Sequence, residues 1–325
     1  MKPFESFLAP KLEKFIAYRK GLGYKEKPLR QTLGYIDRYL IEKKIDQMDH
    51  FTPSFFLKFR ESLSKLNPRT VNDIMSFVHS LFHYLLRMEY CDKDPLKSFP
   101  SLKELRFIPF VFSPEQRELL LEAVQKRTRK NKKYFLYDLA EYTAILLLAR
   151  CGLRISEPTR FLLSHFSSKE ATLYIEKTKF TKDRLIPIPK STRSEIQNYL
   201  SLRRTLLGLD QNPYLLICGK DKNLTRTQLY PTFNRAVADI GLDQTKKTFA
   251  DTTFGRPTPH SLRHSFAVNT LLSIKKRGIS PQYALPILAA YLGHCNYRDT
   301  AVYLKVIDAK QRLDLLTFSR RLRKD

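Results

Sequence analysis

Thr258-Pro259-His260-Ser261-Leu262-Arg263-His264 places two imidazoles and a guanidinium in the opening turns of an expected helix. Thr258 suits an N-cap, and Pro259 suits the first helical position, where a missing N–H costs nothing. His260, Arg263 and His264 then fall at i, i+3 and i+4 and share one face. A helix start offers free N–H groups and the positive end of the helix dipole, which suits a phosphate. Imidazoles and a guanidinium beside it point to a phosphate held for chemistry. Two further stretches belong with this one. Leu292-Gly293-His294 is followed by Tyr303 nine positions after the histidine, and Gly152-Leu153-Arg154-Ile155-Ser156-Glu157 lies upstream.

These pieces, in this order, resemble the active-site signature of the tyrosine site-specific recombinases, the phage-type integrase and Xer-like family. The matching boxes run from Arg154 to Tyr303. The family also carries a lysine on a β-hairpin between its two arginine boxes, and Lys177, Lys179 and Lys182 stand in that interval. The family's second hairpin strand often begins Lys-x-Arg and runs to a proline, which aligns here with Lys182-Asp183-Arg184-Leu185-Ile186-Pro187. The preceding turn then carries Lys179. Lys177 is the rival, since it shares side-chain parity with Lys179 along an extended chain. The stretch departs from the family pattern in having no glycine between Lys177 and Arg184.

The resemblance implies transesterification at a DNA phosphodiester. The Tyr303 hydroxyl attacks phosphorus, a covalent 3′-phosphotyrosine forms, and a 5′-hydroxyl leaves; a second 5′-hydroxyl reverses the step on another strand. Arg154 and Arg263 would clamp the non-bridging oxygens, where negative charge builds. Lys179 would protonate the leaving oxygen. His260 would assist proton transfer around Tyr303, and His294 would donate to a phosphate oxygen. His264 is expected to support these groups from outside the reacting set. Exchange of one phosphodiester for another needs no external energy source, no cofactor and no metal. The implied function is site-specific recombination or integration, serving a mobile element or replicon resolution. Two alternatives stand beside it: an idle, architectural DNA-binding protein on the same scaffold, and a type IB-like strand-nicking topoisomerase.

Composition agrees with a polyanionic partner. Across 325 residues, 58 Lys+Arg face 32 Asp+Glu, a formal charge of +26. Such an excess is an argument about partners rather than fold. The expected partner is double-stranded DNA at specific, inverted-repeat core sites, bound by a homodimer that assembles into a homotetramer in the synapse. No apolar run reaches bilayer length, and the first residues lack a secretory pattern, so a cytoplasmic protein without membrane contact is expected. Cys91, Cys151, Cys218 and Cys295 are far apart and form no Cys-x-x-Cys pair. Reduced, packed thiols are expected, not a zinc site or disulfides.

The expected fold is mainly α with a small β-sheet, an α+β class. Residues 1–104 should form a four-helix core DNA-binding domain, with a linker at about 91–112, and residues 105–325 a catalytic domain. The clearest N-terminal helix carries Val71, Ile74, Val78, Leu81, Leu85 and Met88 at helical spacing. Lys11, Lys14, Arg19, Lys20, Lys25, Lys27 and Arg30 are expected on the outer faces of this DNA-gripping module; for any one of them a solvated face is the commoner reading, and only the total excess argues for phosphate contacts. Ser113 and Gln116 make a capping box, and Lys126 to Lys133 is a basic run. Phe135 to Arg150 reads as the core helix of the second domain. Strands are expected near Ala171 to Glu176, Asp183 to Ile188 and Tyr214 to Cys218, in one small sheet. Gln244 to Pro257 is polar and expected to be a mobile connection. His79 and His83 have the four-residue spacing of helical metal ligands. No acidic residue stands next to them in sequence, so packing or solvent contact is expected instead. The tail carries Leu313, Leu316 and Leu322 beside a basic cluster at Arg320, Arg321, Arg323 and Lys324; the pattern resembles the family's subunit-docking segment, and packing on its own domain is the equal alternative.

Overall fold

The computed structural model describes the chain except Met1, 177–182, Leu209, Lys220, Ala250, Cys295 and 308–325, together with the side chains of Lys132 and Lys133. Lys177, Lys179, Lys182 and the expected docking tail therefore lie outside the described residues. The chain divides into two compact units, Met1–Leu105 and Arg106–Asp325.

The first unit is built on α1 (Ala9–Gly21), α2 (Glu26–Glu42), α3 (Pro53–Ser62) and α4 (Pro68–Arg87). Thr52 and Asn67 cap α3 and α4 by accepting from the N–H groups of Phe55 and Arg69, and a proline follows each cap. Leu12, Phe15, Leu33, Ile36, Phe56, Phe59, Val71, Val78, Leu81 and Leu85 form the shared core. Met88 falls just past α4 and is exposed, not part of the buried row. The buried Asp37 carboxylate accepts from the N–H groups of Glu5 and Ser6, which fixes the approach to α1.

The proline-rich stretch after α4 has packing that no helical period announces. Leu96 is buried in the helical core, with Phe99 and Leu102 packed against it. Asn72 donates to the Leu102 carbonyl at 2.9 Å and accepts from its N–H at 2.8 Å. Arg60 donates to the Pro100 carbonyl. The same stretch corrects the expectation for the α4 histidines: Asp94, distant in sequence, puts a carboxylate oxygen 2.8 Å from His79 Nε2.

The second unit is centred on α6 (Lys132–Cys151). Residues 144–149 are completely buried; a helix this apolar on all sides is a core helix. Around it pack α5 (Pro114–Lys126), α7 (Lys190–Leu207), α8 (Arg226–Asp239) and α9 (Pro259–Lys276). The Ser113–Gln116 capping box opens α5. Helix α10 (Pro281–Leu292) ends in a left-handed Gly293, and a further helix, α11, covers 297–307.

Among the described residues the β-structure is divided among three small sheets rather than gathered into one. Strands β2 (Phe166–Ser167), β3 (Thr172–Ile175) and β4 (Arg184–Pro187) form an antiparallel sheet with Leu173 opposite Ile186 and Ile175 opposite Arg184. Strands β5 (Ile217–Gly219) and β6 (Lys222–Asn223) pair separately. The expected mobile connection instead contains β7 (Lys247–Phe249) and β8 (Thr252–Phe254), and β8 also pairs in parallel with β1 (Arg106–Ile108). Phe112 is then held on α9 by Ser265 and Asn269.

The turn out of α6 shows how tightly this unit is specified. Gly152 has φ +61°, and a Cβ there would meet the Phe266 ring at 2.5 Å. Both left-handed strain and overpacking oppose any side chain. Gly152→Ala is expected to lower stability by about 2–4 kcal/mol, measured by urea unfolding of the full chain.

Candidate active site

The site forms where α6, α9, α10 and α11 present their ends and faces to one another. Thr258 Oγ1 accepts from the Ser261 N–H at 3.3 Å, capping α9 with Pro259 in its first turn. This local geometry places Arg263 inward. Its side chain is almost wholly buried, and its guanidinium donates to the carbonyls of Gly152 at 2.9 Å and Leu292 at 2.6 Å. Those oxygens lie at the C-terminal ends of α6 and α10. Helix C-termini leave carbonyls unpaired and carry the negative end of the dipole, so they attract a guanidinium.

Arg154 meets the same ends from the other side. It donates to the Gly293 carbonyl at 3.1 Å and to Glu157 Oε1 at 3.0 Å. Glu157 is buried and also accepts from the Arg154 N–H and from Arg184 at 3.0 and 3.1 Å. Burial works against the Glu157 charge, but Arg184, Arg154 and Arg263 hold its carboxyl below the usual range. Arg184 in turn donates to the Tyr291 carbonyl at 2.9 Å. Arg263 is pushed down to about 10, by burial first and then by the Arg154 charge.

The histidines line the opposite side. Tyr303 on α11 is buried, with its ring centroid 5.6 Å from that of His264 and 6.2 Å from that of His294. His260 and His264 lie 4.5 Å apart, ring edge to ring face. His294 is oriented by a 2.8 Å hydrogen bond between Nδ1 and the fully buried Thr300 hydroxyl. Burial drives His264 down to about 3 and His294 to about 4, with the neighbouring cations adding to the effect. His260 is lowered for the same reasons, burial first and then Arg263 and Arg154. Its ring is nonetheless exposed, and solvent moderates that shift. Tyr303 is raised by burial, against the opposing pull of Arg263 and Arg154.

Of the six residues expected to do chemistry, Arg154, His260, Arg263, His294 and Tyr303 therefore converge, while Lys179 lies outside the described residues. Glu157, Arg184, His264 and Thr300 complete the surroundings. Glu157 stands in the same short string as Arg154, and Arg184 in the Lys-x-Arg strand motif, whereas nothing local marks Thr300 as a site residue.

The same folded chain has relatives whose names and structures are known. The phage integrase family model matches residues 111–310. The chain belongs to the phage integrase family. It is 30% identical to the integrase/recombinase y4rE of Sinorhizobium fredii, over 94% of this chain and 93% of that protein. It is 26% identical to the tyrosine recombinase XerA of Pyrococcus furiosus, over 94% of each chain. Among solved structures, it resembles XerH recombinase bound to a palindromic difH substrate after cleavage, with a TM-score of 0.65 at 21% identity, covering 94% of this chain and 83% of that one. It also resembles the Tn1549 transposon integrase in complex with circular intermediate DNA, with a TM-score of 0.62 at 18% identity, covering 94% and 99%. The fold is thus that of this family, and the chain is a tyrosine recombinase that catalyses DNA strand transfer. No helix among the described residues is long and apolar enough to cross a membrane.

The depressed histidines make stability depend on acid. His264 stays neutral in the folded protein down to about pH 3, whereas an unfolded histidine titrates near 6.5. The unfolded state therefore binds the extra proton first, and stability present above pH 6.5 is lost as pH falls below it. The expected cost is about 1.4 kcal/mol per pH unit. His264→Asn should flatten the slope of unfolding free energy against pH between about 6 and 4.5 by up to one proton, read from urea melts at a series of pH values.

Proposed function

We propose that this recombinase cuts and rejoins double-stranded DNA at specific sites through Tyr303, with Arg154, Arg263, His260, His294 and Lys179 in the roles their positions suit. The convergence of five of these residues around the carbonyl ends of α6 and α10 carries the assignment. A scissile phosphate beside both guanidiniums would gain charge-assisted hydrogen bonds and offset their mutual repulsion. The Tyr303 oxygen forms a bond to phosphorus as the bond to the 5′-oxygen breaks. Its proton passes to neutral His260, and Lys179 delivers a proton to the departing 5′-oxygen. His294, fixed at Nδ1 by Thr300, presents Nε2 to a non-bridging oxygen. Resealing runs the same steps backwards with a new 5′-hydroxyl.

The wider assignment is drawn from the same convergence and from the relatives. The target is inverted-repeat core DNA, bound by a dimer and joined in a tetramer, for movement of a mobile element or resolution of replicon copies. Solved neighbours include a lambda integrase dimer on a core site and a lambda integrase tetramer on a Holliday junction, which supports both assembly states. The first unit would serve as a DNA-gripping module and the second as the catalytic one, a division that the two compact units, Met1–Leu105 and Arg106–Asp325, support. The recombinase names of the relatives favour strand exchange over an idle architectural protein or a nicking topoisomerase.

Two experiments check the roles. On a nicked suicide substrate, the wild type should form a DNA-linked band on a denaturing gel, and Tyr303→Phe should bind DNA yet form none. A covalent band persisting in that variant would remove Tyr303 from the mechanism. For the general acid, Lys179→Ala should cleave ordinary DNA about 10²–10⁴-fold more slowly. It should cleave DNA with a sulfur-substituted scissile 5′-oxygen at nearly the wild-type rate, because a thiolate leaves without a proton. Rescue of Lys177→Ala in place of Lys179→Ala would move the role by two residues.

A further inference from the structure

We propose that His79, His83 and Asp94 form a site for one divalent transition-metal ion of the Zn2+ class, in the first unit and apart from the catalytic centre. His79 and His83 stand one turn apart on α4, with ring centroids 4.4 Å apart and planes inclined by 36°. Both Nε2 atoms approach the same carboxylate oxygen, Asp94 Oδ2, at 2.8 Å and 3.7 Å. The ligand-capable atoms of all three residues lie within 4.8 Å of one another, and no other such group occurs among the described residues.

Three features distinguish this cluster from an ordinary ion pair. First, one imidazole would satisfy the carboxylate; here a second ring, tilted against the first, is turned toward the same oxygen, which an ion pair does not require. A metal ion takes both rings neutral. Second, the carboxylate is already oriented. The Asp94 side chain is 7% exposed, and Oδ1 accepts from the Leu96 N–H at 2.9 Å. Metal-ligating carboxylates are held by outer hydrogen bonds of this kind. Third, bond lengths of about 2.0–2.2 Å put neighbouring tetrahedral ligand atoms about 3.3–3.5 Å apart. The two His–Asp separations, 2.8 Å and 3.7 Å, straddle that range, so these two pairs would each move by about half an ångström or less to seat an ion. Two imidazoles and one carboxylate suit zinc, cobalt or nickel rather than calcium or magnesium. The His83 side chain is 59% exposed, which leaves the ion a water-facing fourth position.

Such an ion would fasten the stretch after α4 back onto that helix. Asp94 lies two residues before Leu96, whose side chain is buried in the helical core. The ion is therefore structural, and DNA cleavage is expected to survive chelation.

The test uses the full chain, freed of metal with EDTA and titrated with Co2+ while visible absorption is followed. One equivalent should give d–d bands that Zn2+ abolishes by displacement. The bands should persist in His264→Asn, which alters the other histidine cluster. His83→Ala and Asp94→Asn should weaken Co2+ binding about tenfold or more. His83 is exposed, so its replacement spares the core, and circular dichroism confirms the fold. Zn2+ should raise the melting temperature of the wild type and leave that of His83→Ala unmoved. Absence of stoichiometric binding, or equal binding by wild type and His83→Ala, would overturn the site.

Discussion

Two guanidiniums are held beside each other by the carbonyl ends of two helices, and the catalytic unit is arranged to make that possible. Arg263 is buried and bonded to Gly152 and Leu292; Arg154 is bonded to Gly293 and Glu157. Burying like charges together is costly unless hydrogen bonds and a counter-charge surround them. The Glu157 carboxylate supplies one counter-charge but is shared with Arg184. In the proposed function, a phosphate supplies the remaining counter-charge. The left-handed Gly152 and Gly293 matter because each turns the chain while directing a carbonyl at an arginine.

The proposed nucleophile and its neighbours feel the same field. A buried tyrosine resists ionisation, and the adjacent arginines reduce that resistance. The histidines near those cations are driven towards neutrality, which leaves ring nitrogens able to accept protons. One local environment thus disfavours both the phenolate and the imidazolium forms.

The strong positive charge does not translate directly into free cations. Arg30, expected on an outer face, is mostly buried against Glu13 and Glu26. Lys20 pairs with Glu26, and Arg19 lies 3.8 Å over the Tyr24 ring. In the basic run after α5, Arg127 pairs with Asp239 and Arg129 with Asp138. Some of the basic side chains therefore serve the fold, so a count of charges identifies the class of partner better than it identifies the contacts.

What the sequence determined by itself was everything carried by short-range rules. The Thr258-Pro259 start of α9, the i, i+3, i+4 grouping of His260, Arg263 and His264, and the apolar rows of α4 and α6 each depend on neighbours within a turn or two. The family motifs were legible for the same reason, since each is a local string. Tertiary structure decided what depends on distant partners. Arg184 reaches Glu157 across 27 residues, and Asp94 reaches His79 across 15. Strand β8 is polar and Thr-rich, so no apolar alternation announces it; it exists because β1 and β7 complete its hydrogen bonds. A backbone group or a carboxylate has no sequence signature for a partner that only folding brings within hydrogen-bonding distance.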